Sequence, residues 1–153
     1  MYETVVQKLI EKGYRISFAE SCTGGMACAA LVSVPDASKV LDVSFVTYAN
    51  EAKMQYLSVE SQMIEQFGVV SEQVAAQMAF GVAKEAGSQV GVGITGIAGP
   101  LGGSDEKPVG MVCFGFFVDD VVHTFTKQFG DIGRNHVRSQ SVEFVYETLQ
   151  ALL

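Results

Sequence analysis

The sequence predicts an α/β fold, a mixed sheet with helices on both faces, and three observations carry that prediction. Helix-period and strand-like segments alternate through the first two-thirds of the chain. Two apolar runs, 111–118 and 121–129, then stand side by side with only Asp119-Asp120 between them, as in a hairpin. No internal repeat and no linker-like stretch divides the chain, so one domain, residues 1–153, is expected.

The elements follow in order. Tyr2, Val5, Val6, Leu9 and Ile10 recur at helical spacing, and Gly13 stands where a left-handed C-terminal residue belongs, which predicts a first helix. Residues 15–19 alternate and are short enough for a strand. Gly24 and Gly25 open an Ala-, Leu- and Val-rich segment, 26–34, that reads as a buried helix stopped at Pro35. Val, Phe, Thr and Tyr enrich residues 40–49, predicting a second strand that delivers Tyr48. Asn50 reads as the N-cap of the next helix, with Lys53 in its first turn. Ser71 caps a long helix whose apolar face is Val74, Ala75, Met78, Ala79, Val82 and Ala83, and Gly87 ends it. Residues 89–95 resemble a strand, and 96–109 form a Gly/Pro-rich loop too long for a plain connector. After the hairpin, Val137, Phe144, Val145, Leu149 and Leu152 recur at helical spacing and predict a last helix.

Composition narrows the function classes. A chain of 153 residues buries about two-thirds of its extended surface and needs no staples. With 48% hydrophobic and 18% charged residues, part of the surface is expected to be covered by another copy. A formal net charge of -7 without a clustered basic face argues against nucleic acid. The apolar segments are broken by Gly, Ser or charge, which argues against a membrane role. Three cysteines, Cys22, Cys28 and Cys113, lack metal-ligand spacing, and the N-terminus carries no signal-like pattern, so reducing cytoplasm is the expected compartment. No metal or cofactor is expected.

In sheets of this kind, sites gather beyond strand C-termini, where Ser21, Tyr48 and the loop at Thr95 would all emerge. Ser21 sits where a strand runs into a glycine-opened helix, a corner whose bare N–H groups suit a phosphate or an oxyanion. The same pattern also describes an ordinary N-cap. A nucleophilic serine needs a base, and His123 and His136 lie far from it in topology. Lys53 is better placed. Free lysine titrates at about 10.4, so base work near neutrality needs a drop of about 3 pH units, about 4 kcal/mol, and a helix N-terminus supplies only about 0.3–1 kcal/mol. Lys53 must therefore be largely desolvated. The glycines of 95–103 can aim amides at an anion, and Arg134 and Arg138 can supply a guanidinium. Gly91, Gly93 and Gly96 spell a dinucleotide-type GxGxxG but open no long helix, and Ser104-Asp105-Glu106-Lys107 spells SxxK in a loop; both are expected to be coincidence.

Taken together, AESCTGG at 19–25, TYANEAK at 47–53, GVVSEQVA at 68–75 and TGIAGPLGG with EKPVG up to Gly110 resemble the CinA C-terminal domain family, the nicotinamide-nucleotide amidases, in its stand-alone form. The resemblance implies a three-layer α/β/α sandwich around a mixed, mostly parallel sheet, and self-association as dimer or trimer. It implies hydrolysis of the carboxamide of nicotinamide mononucleotide to nicotinate mononucleotide and ammonia, in pyridine-nucleotide recycling. Ser21 would be the nucleophile, Lys53 its base and Tyr48 a hydroxyl supporting proton transfer. Thr23, Gly24 and Gly25 would line the oxyanion side. Asn50, Thr95, Gly96, Ala98, Gly99, Gly102, Gly103, Arg134 and Arg138 would position the nucleotide. The chain departs from the family pattern where Leu101 replaces a glycine, where Ala49 replaces a serine, and where Ile132 and Gly133 intervene before Arg134. These departures leave a retargeted or inactive nucleotide-binding member as the alternative. A thiol enzyme built on Cys22 is a third reading.

Overall fold

Five strands form one mixed sheet in the order β2-β1-β3-β4-β5, in a computed structural model that describes residues 1–153. The strands are β1 (Ile16–Glu20), β2 (Phe45–Val46), β3 (Val90–Gly96), β4 (Met111–Val118) and β5 (Val121–Gln128). β2-β1-β3 run parallel, and β3-β4-β5 antiparallel. The helices are α1 (Tyr2–Lys12), α2 (Met26–Val32), α3 (Asn50–Leu57), α4 (Ser61–Phe67), α5 (Glu72–Ala86) and α6 (Arg134–Leu152), with a 3-10 turn at Ala37–Lys39. The expected three layers are present.

Alternation along the strands assigns the layers. Ile16 and Phe18 of β1, Val90, Val92 and Ile94 of β3, and Phe114 and Phe116 of β4 pack with α1, α2 and α6 in the larger core. The Tyr146 hydroxyl donates to the Ala27 carbonyl at 2.6 Å, tying α6 to α2 inside that layer. On the other face Ala19 packs with Leu57, Val74 and Met78 of α3 and α5. Here the strands present glycine. A Cβ on Gly91 would strike the Ala79 carbonyl, and one on Gly93 or Gly115 the Ala75 carbonyl, so α5 lies directly on the sheet backbone. This is why the GxGxxG pattern exists: Gly91 and Gly93 are packing glycines.

Ser71 caps α5, its Oγ accepting from Val74 N at 3.2 Å, and Gly13 and Gly87 end α1 and α5 in the left-handed conformation as expected. The hairpin turn works without glycine because Asp119 and Asp120 both take positive φ, 51° and 63°, as a primed hairpin turn requires and aspartate tolerates. Two expectations need correction. The strand expected over 40–49 shrinks to Phe45–Val46, because the Ser44 hydroxyl accepts the Phe18 amide at 2.9 Å where a ladder carbonyl would stand. Asn50 is the first helical residue of α3, and Ala49 holds the cap position without a side-chain bond. α4 and the 3-10 turn had no sequence expectation at all.

Candidate active site

β1 ends at Glu20, and the next residue, Ser21, is held by its amide on the Ile94 carbonyl of β3 at 3.2 Å. Lys53, in the first turns of α3, reaches back to it. Its Nζ lies 3.1 Å from Ser21 Oγ, 2.9 Å from the Thr47 carbonyl and 3.2 Å from the Tyr48 carbonyl. Lys53 is 1% exposed and forms no ion pair with a carboxylate. Burial therefore pushes its ammonium below the ordinary lysine value, with the Cys22 thiol opposing only weakly. Nζ donates to all three oxygens, and once the amine is neutral its two N–H groups can keep the carbonyls while the lone pair takes the serine proton.

The adjacent thiol has the opposite character. Cys22 is 5% exposed and burial pushes it up to about 11, so little thiolate forms near neutrality. Neither histidine is hydrogen-bonded to Ser21 or Cys22; His136 Nδ1 lies 3.1 Å from the Ile132 carbonyl.

The helix end beyond Ser21 is already filled. Glu20 is buried, and its carboxylate accepts the α2 amides of Ala27 at 2.8 Å and Cys28 at 2.9 Å. The expectation that Gly24 and Gly25 leave their amides uncovered holds for Gly25 and fails for Gly24. Gly24 N donates to the Ser21 carbonyl and Met26 N to the Thr23 carbonyl, whereas the amides of Cys22, Thr23 and Gly25 have no protein acceptor. Gly24 and Gly25 adopt positive φ, 59° and 106°, which bends this turn. The Thr23 and Thr47 hydroxyls are buried without partners.

Arg138 acts as a clamp. Its Nε donates to the Cys22 carbonyl at 2.9 Å and its Nη2 to the Thr23 carbonyl at 3.2 Å, so the guanidinium holds the serine turn from α6. Arg134 instead bridges the rim: Nη1 donates to the Gly99 carbonyl and Nη2 to the Tyr48 hydroxyl, both at 2.8 Å. Tyr48 is 58% exposed. Its carbonyl, not its hydroxyl, meets Lys53. The insertion of Ile132 and Gly133 thus leaves Arg134 in reach of the loop.

The rest of the loop divides. The Thr95 hydroxyl donates to the Val69 carbonyl at 3.0 Å, and Gly96 is closed in by Val112, so both belong to the scaffold. Ala98 and Gly99 are buried, while Gly102, Gly103 and Asn50 are exposed. Leu101 is 85% exposed, so its side chain stands in solvent and closes no mouth. Sequence reasoning missed Glu20, although a carboxylate just ahead of a glycine-opened helix is itself a capping signal.

The same architecture occurs in proteins of known structure. The CinA C-terminal domain family model matches residues 1–153. A CinA-like protein of Kosmotoga olearia is 42% identical over 99% of this chain, and the chain spans only 36% of that relative's length. A CinA-like protein of Dictyoglomus turgidum is 44% identical over 98% of the chain, which covers 35% of it. The crystal structure of the competence/damage inducible protein CihA from Agrobacterium tumefaciens superposes with a TM-score of 0.94 at 40% identity, covering 99% of this chain and 94% of that one. A competence-damaged protein (CinA) superfamily structure from Escherichia coli gives 0.92 at 37% identity, covering 99% and 91%. With fold, length of match and motif order in agreement, this chain belongs to the CinA C-terminal domain family.

Proposed function

We propose that the protein is a serine amidohydrolase of small carboxamides, with nicotinamide mononucleotide as substrate and nicotinate mononucleotide and ammonia as products. One observation carries the reading: a buried lysine without a carboxylate partner sits 3.1 Å from a serine hydroxyl. An amine so placed is worth more as a proton acceptor than as a surface charge.

In this reading Lys53 takes the Ser21 proton as Ser21 Oγ attacks the carboxamide carbon. The negative charge gathering on the carbonyl oxygen is met by the free amides of the Cys22–Gly25 turn, which Arg138 holds by its carbonyls. Lys53 returns the proton to the departing nitrogen, ammonia leaves, and the acyl group stays on Ser21. Water, deprotonated by the same amine, then attacks the ester and frees the carboxylate and Ser21. Asn50, Gly102 and the Arg134–Tyr48 bridge form the exposed rim where the ribose phosphate would rest.

Ammonia release from nicotinamide mononucleotide tests the substrate, and Ser21→Ala tests the nucleophile. Turnover by wild type that vanishes in Ser21→Ala supports both. No release by wild type removes the substrate assignment, and full release by Ser21→Ala removes the nucleophile.

A further inference from the structure

The Thr23 and Thr47 hydroxyls are buried without a partner, and one of them stands beside the serine-lysine pair. β1 and β2 pair in the register Ala19↔Phe45 and Glu20↔Val46, and the Thr47 amide carries the ladder one residue further by donating to the Glu20 carbonyl at 2.9 Å. That step sets Thr47 next to Ser21 across two parallel strands, about 4.8 Å away in the backbone. Strand alternation then fixes the face. Ala19 and Phe45 both pack toward Leu57 of α3, so Ser21 and Thr47, the next residues of that parity, point to the side from which Lys53 arrives. Thr47 is 1% exposed, and its carbonyl already accepts from Lys53 Nζ at 2.9 Å.

A valine would fill the same space without stranding a hydroxyl, and a buried unpaired hydroxyl costs stability. The resting protein makes no use of this group. Thr23, by contrast, belongs to the turn that Arg138 holds from α6 and gives Lys53 no contact.

On the serine-lysine reading of the site, on which this inference rests, Nζ takes the Ser21 proton as the Oγ–carbon bond forms. It gives that proton up as the carbon–nitrogen bond breaks and ammonia leaves. Between the two events Nζ turns from Ser21 to the departing nitrogen. The Thr47 and Tyr48 carbonyls that hold its other N–H groups are fixed in the backbone and cannot follow that turn. An N–H drawn off either carbonyl would be stranded in a buried site, a cost that falls on the transition state. The Thr47 hydroxyl has free lone pairs and swings about a single bond between staggered positions.

We propose that Thr47 is a positioning residue for Lys53, its hydroxyl accepting an N–H of the ammonium while Nζ crosses from Ser21 to the leaving nitrogen. The hydroxyl acts through the lysine and does not touch substrate. It is unpaired at rest because the resting lysine is held by the two carbonyls and Ser21 Oγ.

Thr47→Val, which keeps the shape and removes the oxygen, tests this. For ammonia release from nicotinamide mononucleotide, kcat/KM is expected to fall at least about fivefold, the worth of one ordinary hydrogen bond, while the melting temperature holds or rises. Thr47→Ser is expected to recover the rate to within about twofold of wild type. In a Ser21→Ala background, calorimetry is expected to give the same nucleotide affinity with and without Thr47→Val. A smaller fall in kcat/KM overturns the inference, as does a fall that Thr47→Ser leaves uncorrected. A matching loss of nucleotide affinity assigns the hydroxyl to binding, and a lowered melting temperature assigns it to the fold; either overturns it. If Thr47→Val does not fold, Thr47→Ser against Thr47→Ala decides: Thr47→Ser faster by about fivefold or more supports, and a smaller difference overturns. Wild type that releases no ammonia removes the serine-lysine reading and this inference together, whereas turnover that Thr47→Val shares in full removes this inference alone.

Discussion

Two serine-lysine pairs lie in this molecule, and they differ in a way that separates spacing from chemistry. Ser104 and Lys107 have the SxxK spacing of known nucleophile-base pairs, yet the Ser104 hydroxyl only accepts the Lys107 backbone amide at 3.1 Å. The Lys107 ammonium turns away to the Phe67 and Val70 carbonyls, pinning the loop to the start of α5. Ser21 and Lys53 are 32 residues apart and meet through the ends of β1 and α3. What matters is which oxygen the amine reaches and whether it arrives desolvated.

The largest effect that sharpens this contrast is Ser21→Ala, expected to lower the rate of ammonia release by about 10^3-fold or more while the folded chain keeps its secondary structure. Lys53→Met is next, expected to cost about 10^2- to 10^4-fold in kcat. Its melting temperature should change little, because relief from burying an amine offsets the loss of the donor to the Thr47 and Tyr48 carbonyls. Retained turnover in either variant would break the comparison.

The pH dependence carries the same signature. Burial lowers the Lys53 pKa in the folded chain, so kcat/KM should climb with rising pH until the amine is neutral and then level off. Between that lowered value and the ordinary lysine value, the unfolded chain holds the proton that the folded chain releases. Stability from this group therefore rises with pH across the window and is lost as pH falls through the folded pKa. Lys53→Met should flatten that slope in a denaturant titration.

Lys107→Met should do the reverse of Lys53→Met: a loss of about 1–3 kcal/mol in stability from two stranded carbonyls, with kcat/KM unchanged. The smallest effect is Ser104→Ala, expected within about 1 kcal/mol of wild type in urea melts and equal to it in turnover. An activity loss in Ser104→Ala would return the SxxK spacing to consideration.

The sequence made some of these features visible and hid others for physical reasons. Ser71, Gly13 and Gly87 act through their neighbours in the chain, so the limits of α1 and α5 could be read directly. Lys53 was legible as a candidate because the end of one segment and the start of the next placed it near Ser21. Its burial was not, since the two carbonyls that hold it depend on how residues 47–48 turn. Ser44 replaces a strand bond with a side-chain bond, and no periodicity reports that. Arg138 looked like a ligand for an anion, because a sequence shows the cation but not the Cys22 and Thr23 carbonyls waiting across the fold.

Glu20 bears on how a catalytic cycle would finish. The proposed reaction turns an uncharged amide into a carboxylate beside Ser21, and α2 would ordinarily offer that new anion a berth. With the Ala27 and Cys28 amides already occupied by Glu20, the newly charged product finds a resident carboxylate of like sign instead. The α2 terminus thus gives the new carboxylate no hold, and only the turn that served the oxyanion remains to it, which favours departure over self-inhibition.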